Sequence, residues 1–590
     1  MIYRSKSVLR IPEIASIVSG FLEPRDAARL GRTNRHFFEI AMPVAWKHVE
    51  SVVQVFKLVE GCTISHDKGD DDEEVTSIDL PLSISEKELT RLKIYAPLIK
   101  SLEVFGNPKD EVDYDVFGAS TLLAYTESHV LLPNLQQLSM NTDDSDRIAY
   151  YFWFRVFASP SLITVCPIVT SPYRYLPYTA LHVASALVKE ATEKCPQLET
   201  LGLFVLDDSL STFDDTLEHL AFDGSEQPLA PILAKAKQLV EVLGSSILLR
   251  NDIFLSLGEL PRLARLEIFY EHDEEPEDDE DEPSLQHAVR IEQDGFQQLR
   301  HFGLHNATQT NVQLVWGISG FFKRTTSLVI EFNSCMTPSG ESWVQSTFIP
   351  LLCEGSPHLN HLTIRFQLTR EELPNSLFTF KLTEDNLAAM ANLPLVTLNL
   401  AKTRFECDDA VKSIALAWPA LEELNLPAQP VNFDELCYFA QYTPRLQDLG
   451  IELKLASLPQ KPDLDRLKEL RHPVLKQLES SFNDVHKFEP EQACALYRFL
   501  KGLFPNARLS CRVQTLIDLL LPGQKDRISI MLLNSVPTLV YIIATSSGVS
   551  LGSVEEDGPI QVMWHEREKL YYPSLKVDPT INSLLKDIAS

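Results

Sequence analysis

Among the 590 residues, fifteen histidines and nine cysteines have the widest chemical range, and their spacing decides what they could do. His301 and His305 flank an apolar stretch that reads as a strand. At about 3.3 Å per residue their backbones lie roughly 13 Å apart, too far to share a metal ion at about 2 Å per bond, so they read as surface histidines. His358 and His361 are expected on opposite faces of a later strand, and Cys353 does not complete a site with them. His565-Glu566 lacks the second histidine of a zinc-binding HExxH pair, and Asp70 to Asp72 and Asp278 to Asp281 lack the turn glycine and ligand spacing of a calcium loop. No phosphate-binding glycine loop or nucleophile elbow occurs. The expectation is a chain with no catalytic residues, no metal site and no cofactor, working through binding.

The cysteines are odd in number and scattered without a CxxC pair, which reads as reduced thiols and a cytoplasmic and/or nuclear location. Arg10, Pro12 and Glu13 interrupt the apolar run a signal peptide needs, and the best spanning candidate, Thr538 to Ala544, is far too short. With 82 acidic against 53 basic residues the net charge is −29, which opposes binding to nucleic acid or an anionic membrane. Residues 67–74 and 271–282 concentrate that charge and read as solvated loops, the alternative being a docking strip for a basic partner.

Binding surfaces need elements to position them, and the first fifty residues supply three short helices. Pro12-Glu13 opens one carrying Ile14, Ile17, Val18, Phe21 and Leu22 at helical spacing; a second runs from Ala27 to Arg32; Asn34 can cap a third that ends near Pro43. So small a unit cannot enclose all of its large apolar side chains, so part of that surface should be covered by something else. The run Ile11-Pro12-Glu13-Ile14, Ile17-Val18, Phe21-Leu22, Pro24 to Leu30, Asn34 to Phe38 and Ala45 to Val49 resembles an F-box. The resemblance implies docking on the small Skp adaptor of a cullin–RING (SCF) ubiquitin ligase. Leu9, Ile11, Pro12, Ile14, Ile17, Val18, Leu22 and Leu30 would be the adaptor-facing or supporting residues.

Downstream, a P-x-L-x-x-L-x-L pattern recurs from Pro97 to Leu478, the first leucines averaging about 31 residues apart. L-x-L alternation is that of a strand, the proline ends the preceding helix, and stretches such as Asp408 to Trp418 and Asp434 to Tyr442 have helical spacing or composition between copies. The expected fold is α/β: a three-helix F-box followed by an irregular leucine-rich-repeat solenoid, a horseshoe with a parallel sheet on its concave face. The expected division is F-box 8–49, connecting segment 50–94, repeats 95–512 and C-terminal cap 513–590. The order resembles the F-box/leucine-rich-repeat proteins of the divergent fungal type, in which the repeats select a target for ubiquitin-dependent degradation. The residues between and beside the leucines should line the concave side: Glu103, Ser139, Gly202, Glu267, Gly303, Thr363, Asn399, Asn425 and Gly450. Of these, Glu103, Glu267, Thr363, Asn399 and Asn425 are the candidate target contacts, with no arginine cluster for phosphate. The competing readings are a leucine-rich-repeat scaffold that assembles no ligase, its N-terminal helices a cap, and an enzyme with an unrecognised site.

Overall fold

The computed structural model describes residues 11–68, 74–105, 112–140, 149–166, 178–206, 227–270, 295–318, 321–333, 342–366, 380–459, 463–481 and 490–512, with short strands Ser529–Leu532, Val540–Thr545 and Gly548–Ser553 beyond. It is a mixed α/β chain that divides into two compact units, residues 1–306 with 317–321 and residues 307–316 with 322–590. Among the described residues no helix is long and apolar enough to cross a membrane.

The first unit begins with α1 (Pro12–Gly20), α2 (Pro24–Gly31) and α3 (Arg35–Ala45). Pro12 and Pro24 occupy first turns, where a missing N–H leaves no bond unmade, and Asn34 Oδ1 accepts the Phe37 N–H at 3.0 Å to start α3. Pro43 lies within the last turn of α3, which ends two residues later at Ala45. The interior is built from small residues: Ala15, Ser19, Ala27, Gly31 and Ala41, with Met42. A Cβ on Gly31 would run into Met42 Cε, so the methionine side chain of α3 packs directly over the glycine of α2 and would have to shift aside for a larger residue.

No linker follows α3. His48–Val49 pairs in parallel with Ser101–Leu102, and the N–H groups of Lys100 and Ser101 both donate to the Lys47 carbonyl. The same shared acceptor recurs along the unit, at Lys100, Gln136, Ile163, Glu199, Val240 and Ala264. It aligns eight parallel strands in chain order: His48–Val49, Ser101–Glu103, Gln137–Ser139, Thr164–Val165, Thr200–Leu203, Glu241–Ser245, Arg265–Phe269 and His301–Ala307. The recurrent proline carries a link as well: Asn134 Nδ2 donates to the Pro97 carbonyl at 2.7 Å and Ser161 Oγ to the Pro133 carbonyl at 2.6 Å.

Residues 50–94 pack down as part of this unit. Val52–Phe56 is helical; Thr63–Lys68 and Glu74–Asp79 form an antiparallel pair, and Val112–Phe117 adds to it in parallel. The Trp153 ring, from the helix Tyr150–Phe157, lies against Phe56, Tyr114 and Phe157, while the Tyr114 hydroxyl sits 3.0 Å from Ser51 Oγ. The acidic run 67–74, expected as a loop, therefore has Asp67, Lys68 and Glu74 in paired strands; residues 69–73 and the run 271–282 lie outside the described residues.

In the second unit seven parallel strands follow in chain order, Ser327–Phe332, His361–Phe366, Thr397–Leu400, Glu423–Val431, Asp448–Leu453, Gln477–Ser481 and Arg508–Arg512, with Ser529–Leu532 antiparallel at the end. The alternating leucines and isoleucines are buried, for example Leu362 and Ile364, Leu398 and Leu400, Leu424 and Leu426. Helices Ala410–Ala417 and Leu436–Tyr442 fall within the stretches that helical spacing or composition marked, Glu384–Met390 precedes them, and Trp418 Nε1 ties two repeats by donating to the Met390 carbonyl at 3.2 Å. Within the expected C-terminal cap, Val540–Thr545 pairs antiparallel with Gly548–Ser553, while residues 513–528, 533–539, 546–547 and 554–590 lie outside the described residues.

Candidate functional site

The first candidate surface is the outer face of α1. Because Ala15 and Ser19 take the inward positions, the larger side chains point away: Ile11 is 47%, Ile17 62%, Val18 38% and Phe21 86% exposed. Pro12 is exposed too, while Ile14, Leu22 and Leu30 are half-buried and support the unit from within; Leu9 lies outside the described residues. Phe21, at the C-cap of α1, was not among the expected docking residues, although it continues the helical spacing of Ile14, Ile17 and Val18. The adjacent helix adds a second feature. Arg25 and Arg29 on α2 and Arg32 at its C-cap are exposed; Arg29 pairs with Asp26 at 2.9 Å, and Arg25, Arg32, Glu13 and Glu23 have no ion pair among the described residues.

The second surface is the sheet face opposite the leucines in the first unit, where register aligns Gly202, Leu243, Glu267 and Gly303 in one row and sets Glu103 beside Ser139. His301 and His305 are not surface histidines. Both lie within one strand on the same face, and they reach across to the neighbouring carboxylate: His301 Nε2 is 3.0 Å from Glu267 Oε1 and His305 Nε2 is 3.2 Å from Glu267 Oε2. Gly303 between them leaves room for both side chains, since a Cβ there would crowd Glu267 Cγ at 3.0 Å and His305 Nε2 at 3.1 Å. The His305 ring stacks on Phe269 at 4.2 Å. Arg265 carries the network on, 3.5 Å from Glu267 and 3.4 Å from Glu241, which accepts from Thr200 Oγ1 at 3.1 Å.

Glu267, expected as a target contact, is thus only 14% exposed and held by three side chains. Burial alone would raise its pKa, but the hydrogen bonds and charge of His301 and His305 outweigh it and hold the carboxyl well below the usual range. A depressed folded-state pKa gives stability that is present above the unfolded value of about 4.3 and lost as pH falls below it. Glu267→Gln should therefore cost about 2 kcal/mol at pH 7, the scale of hydrogen bonds to a charged group, and progressively less between pH 5 and pH 3. Denaturant midpoints of both proteins across that range check this, and an undiminished difference at pH 3 would contradict it.

In the second unit, Thr363, Asn399, Asn425 and Gly450 stand in register on adjacent strands, the first three half-buried. Asn425 Nδ2 donates to Asn399 Oδ1 at 3.0 Å, and the Asn425 carboxamide lies over Gly450, filling the room a Cβ would need. His361 Nδ1 is 3.0 Å from Thr397 Oγ1; His358 sits in the turn before the strand rather than on its opposite face. The row presents amide donors and acceptors to whatever lies on the sheet.

Two thiols of the first unit are subdued by burial. Burial pushes the Cys166 thiol up to about 12 and the Cys195 thiol up to about 11, far from a thiolate at neutral pH. Among the described residues no group of three His, Cys, Asp or Glu could hold a metal ion. Comparison with known proteins returned no matching family model and no matching curated protein.

Proposed function

We propose that this chain is the substrate-recognition subunit of an SCF-type cullin–RING ubiquitin ligase, docking on the Skp adaptor, and through it on cullin, by the helical unit and holding a target protein on its strand–helix repeats. The observation that carries this reading is the inversion of α1, which turns Ile11, Ile17, Val18 and Phe21 to solvent on a unit whose own interior is already filled by Ala15, Ser19, Gly31 and Ala41. A contiguous apolar face of that kind calls for a protein partner. The direct run of α3 into the first strand supports the same role, because a ligase receptor contributes geometry and must hold its target at a fixed distance from the adaptor. The repeats read as leucine-rich repeats, with the buried L-x-L side chains as their core.

Co-purification of the full chain with a Skp-family adaptor tests this reading. A stoichiometric complex at micromolar concentration is expected. If none forms, the ligase reading fails and the repeat scaffold without ligase assembly takes its place. On the target side, Asn399→Lys with Asn425→Lys places two cations on the amide row and is expected to speed dissociation of a target recovered by crosslinking at least tenfold, about 1.4 kcal/mol, at any salt concentration. An unchanged off-rate, read by surface plasmon resonance, would move the target site elsewhere.

A further inference from the structure

The three-stranded sheet of the first unit, Thr63–Lys68, Glu74–Asp79 and Val112–Phe117, has two unlike faces. Thr76 and Ile78 are buried on the inner one, where the Tyr114 ring meets Phe105 and Trp153. Strand alternation assigns the other positions to the outer face, and register sets them in three rows: Thr63, Asp79 and Phe117; Ser65, Ser77 and Asp115; Asp67, Val75 and Asp113. Of these nine positions four are aspartate and none is lysine or arginine; Lys68, the one such base in the three strands, falls at the opposite parity. Asp79 and Asp115 are exposed and have no ion pair among the described residues, Asp79 accepting from Thr63 Oγ1 at 3.5 Å. Phe117, beside Asp79 in register, is 56% exposed. Residues two apart in a strand stand about 7 Å from each other, so the aspartates repel one another at short range with no cation at these positions to offset them.

We infer that this outer face is a docking surface for a basic, extended segment of a partner protein. Same-side residues of an extended segment also repeat at about 7 Å, so lysines or arginines at alternate positions match the spacing of Asp113 and Asp115, with Asp79 within reach on the next strand. A cation seated over the exposed Phe117 ring is attracted by the aromatic face, and the Asp79 carboxylate in the same row answers its charge. The sign of the surface turns away nucleic acid and anionic bilayers. Among the described residues no group of three His, Cys, Asp or Glu could hold a metal ion, which favours a protein cation over a bare one. The inference concerns a surface other than the helical unit and does not rest on the adaptor reading.

Fluorescence anisotropy of a labelled octapeptide of alternating lysine and serine, titrated with the full chain at 50 mM NaCl, decides the matter. Saturable binding is expected, and Asp79→Asn with Asp115→Asn should weaken it at least tenfold. Phe117→Ala should weaken it about threefold. Because the whole chain carries −29, a control removes the same charge elsewhere: Asp408→Asn with Glu469→Gln, both exposed in the second unit, should change affinity less than twofold. Asp79 and Asp115 are exposed, so the melting temperature of their variant should match that of the parent protein. Carbodiimide coupling of the bound peptide, read by mass spectrometry, should join its lysines to Asp79, Asp113 or Asp115. Equal losses in the face and control variants, or no saturable binding, overturn the inference, and the aspartates then only keep an open sheet edge from pairing with other chains. Calcium binding that depends on Asp79 and Asp115, with no peptide binding, overturns it in favour of a metal ion.

Discussion

Replacing Ile17 and Phe21 together by Asp is expected to weaken adaptor binding about a thousandfold while leaving the protein folded. Each apolar side chain at the centre of an interface is worth about 2 kcal/mol on truncation, and a buried unpaired carboxylate adds to the loss, so the pair removes about 4 kcal/mol or more. Both side chains already stand in water in the free chain, at 62% and 86% exposure, so the melting temperature should move by no more than about 1 °C. Titration calorimetry with the adaptor reads the effect. Leu22→Asp would be a poorer probe, because Leu22 is half-buried and its replacement confuses folding with docking. Unchanged affinity in a folded double variant would take α1 out of the interface.

The second large effect lies in the fold. Trp153→Ala should cost about 4 kcal/mol, since the indole is fully buried and touches four aromatic rings: Phe56, Tyr114, Phe152 and Phe157. Two of those rings belong to the helix Val52–Phe56 and the strand Val112–Phe117, so the loss should loosen residues 50–94 together with the sheet. Denaturant unfolding with limited proteolysis separates the outcomes. Cleavage in 50–94 while the sheet keeps its full stability would show a swinging connector.

Much of this fold is written in local periodicity. Leucines two apart in a strand must share a face, and a proline after a helix must end it, so the core rows around Leu362, Leu398 and Leu424 could be marked without coordinates. The same rule placed Asn399 and Asn425 on one face, although it could not foresee that their carboxamides bond to each other. What escaped was whatever depends on contacts between distant residues. Glu267 meets His301 and His305 across 34 and 38 residues, and only the register of two strands, with a glycine at 303, brings them together; seen in sequence the histidines look idle. Phe21, by contrast, was legible, since it continues the helical spacing of Ile14, Ile17 and Val18, but the resemblance that supplied the docking residues did not include it.

The most direct test of the helical unit as an adaptor-docking module is amide hydrogen exchange of the full chain, alone and saturated with a Skp-family adaptor. Protection is expected to rise at residues 11–32, the span of α1 and α2, and to stay unchanged on the strand rows around Glu267 and Asn425. Protection centred on those strand rows, or no change anywhere at saturating adaptor, would contradict it.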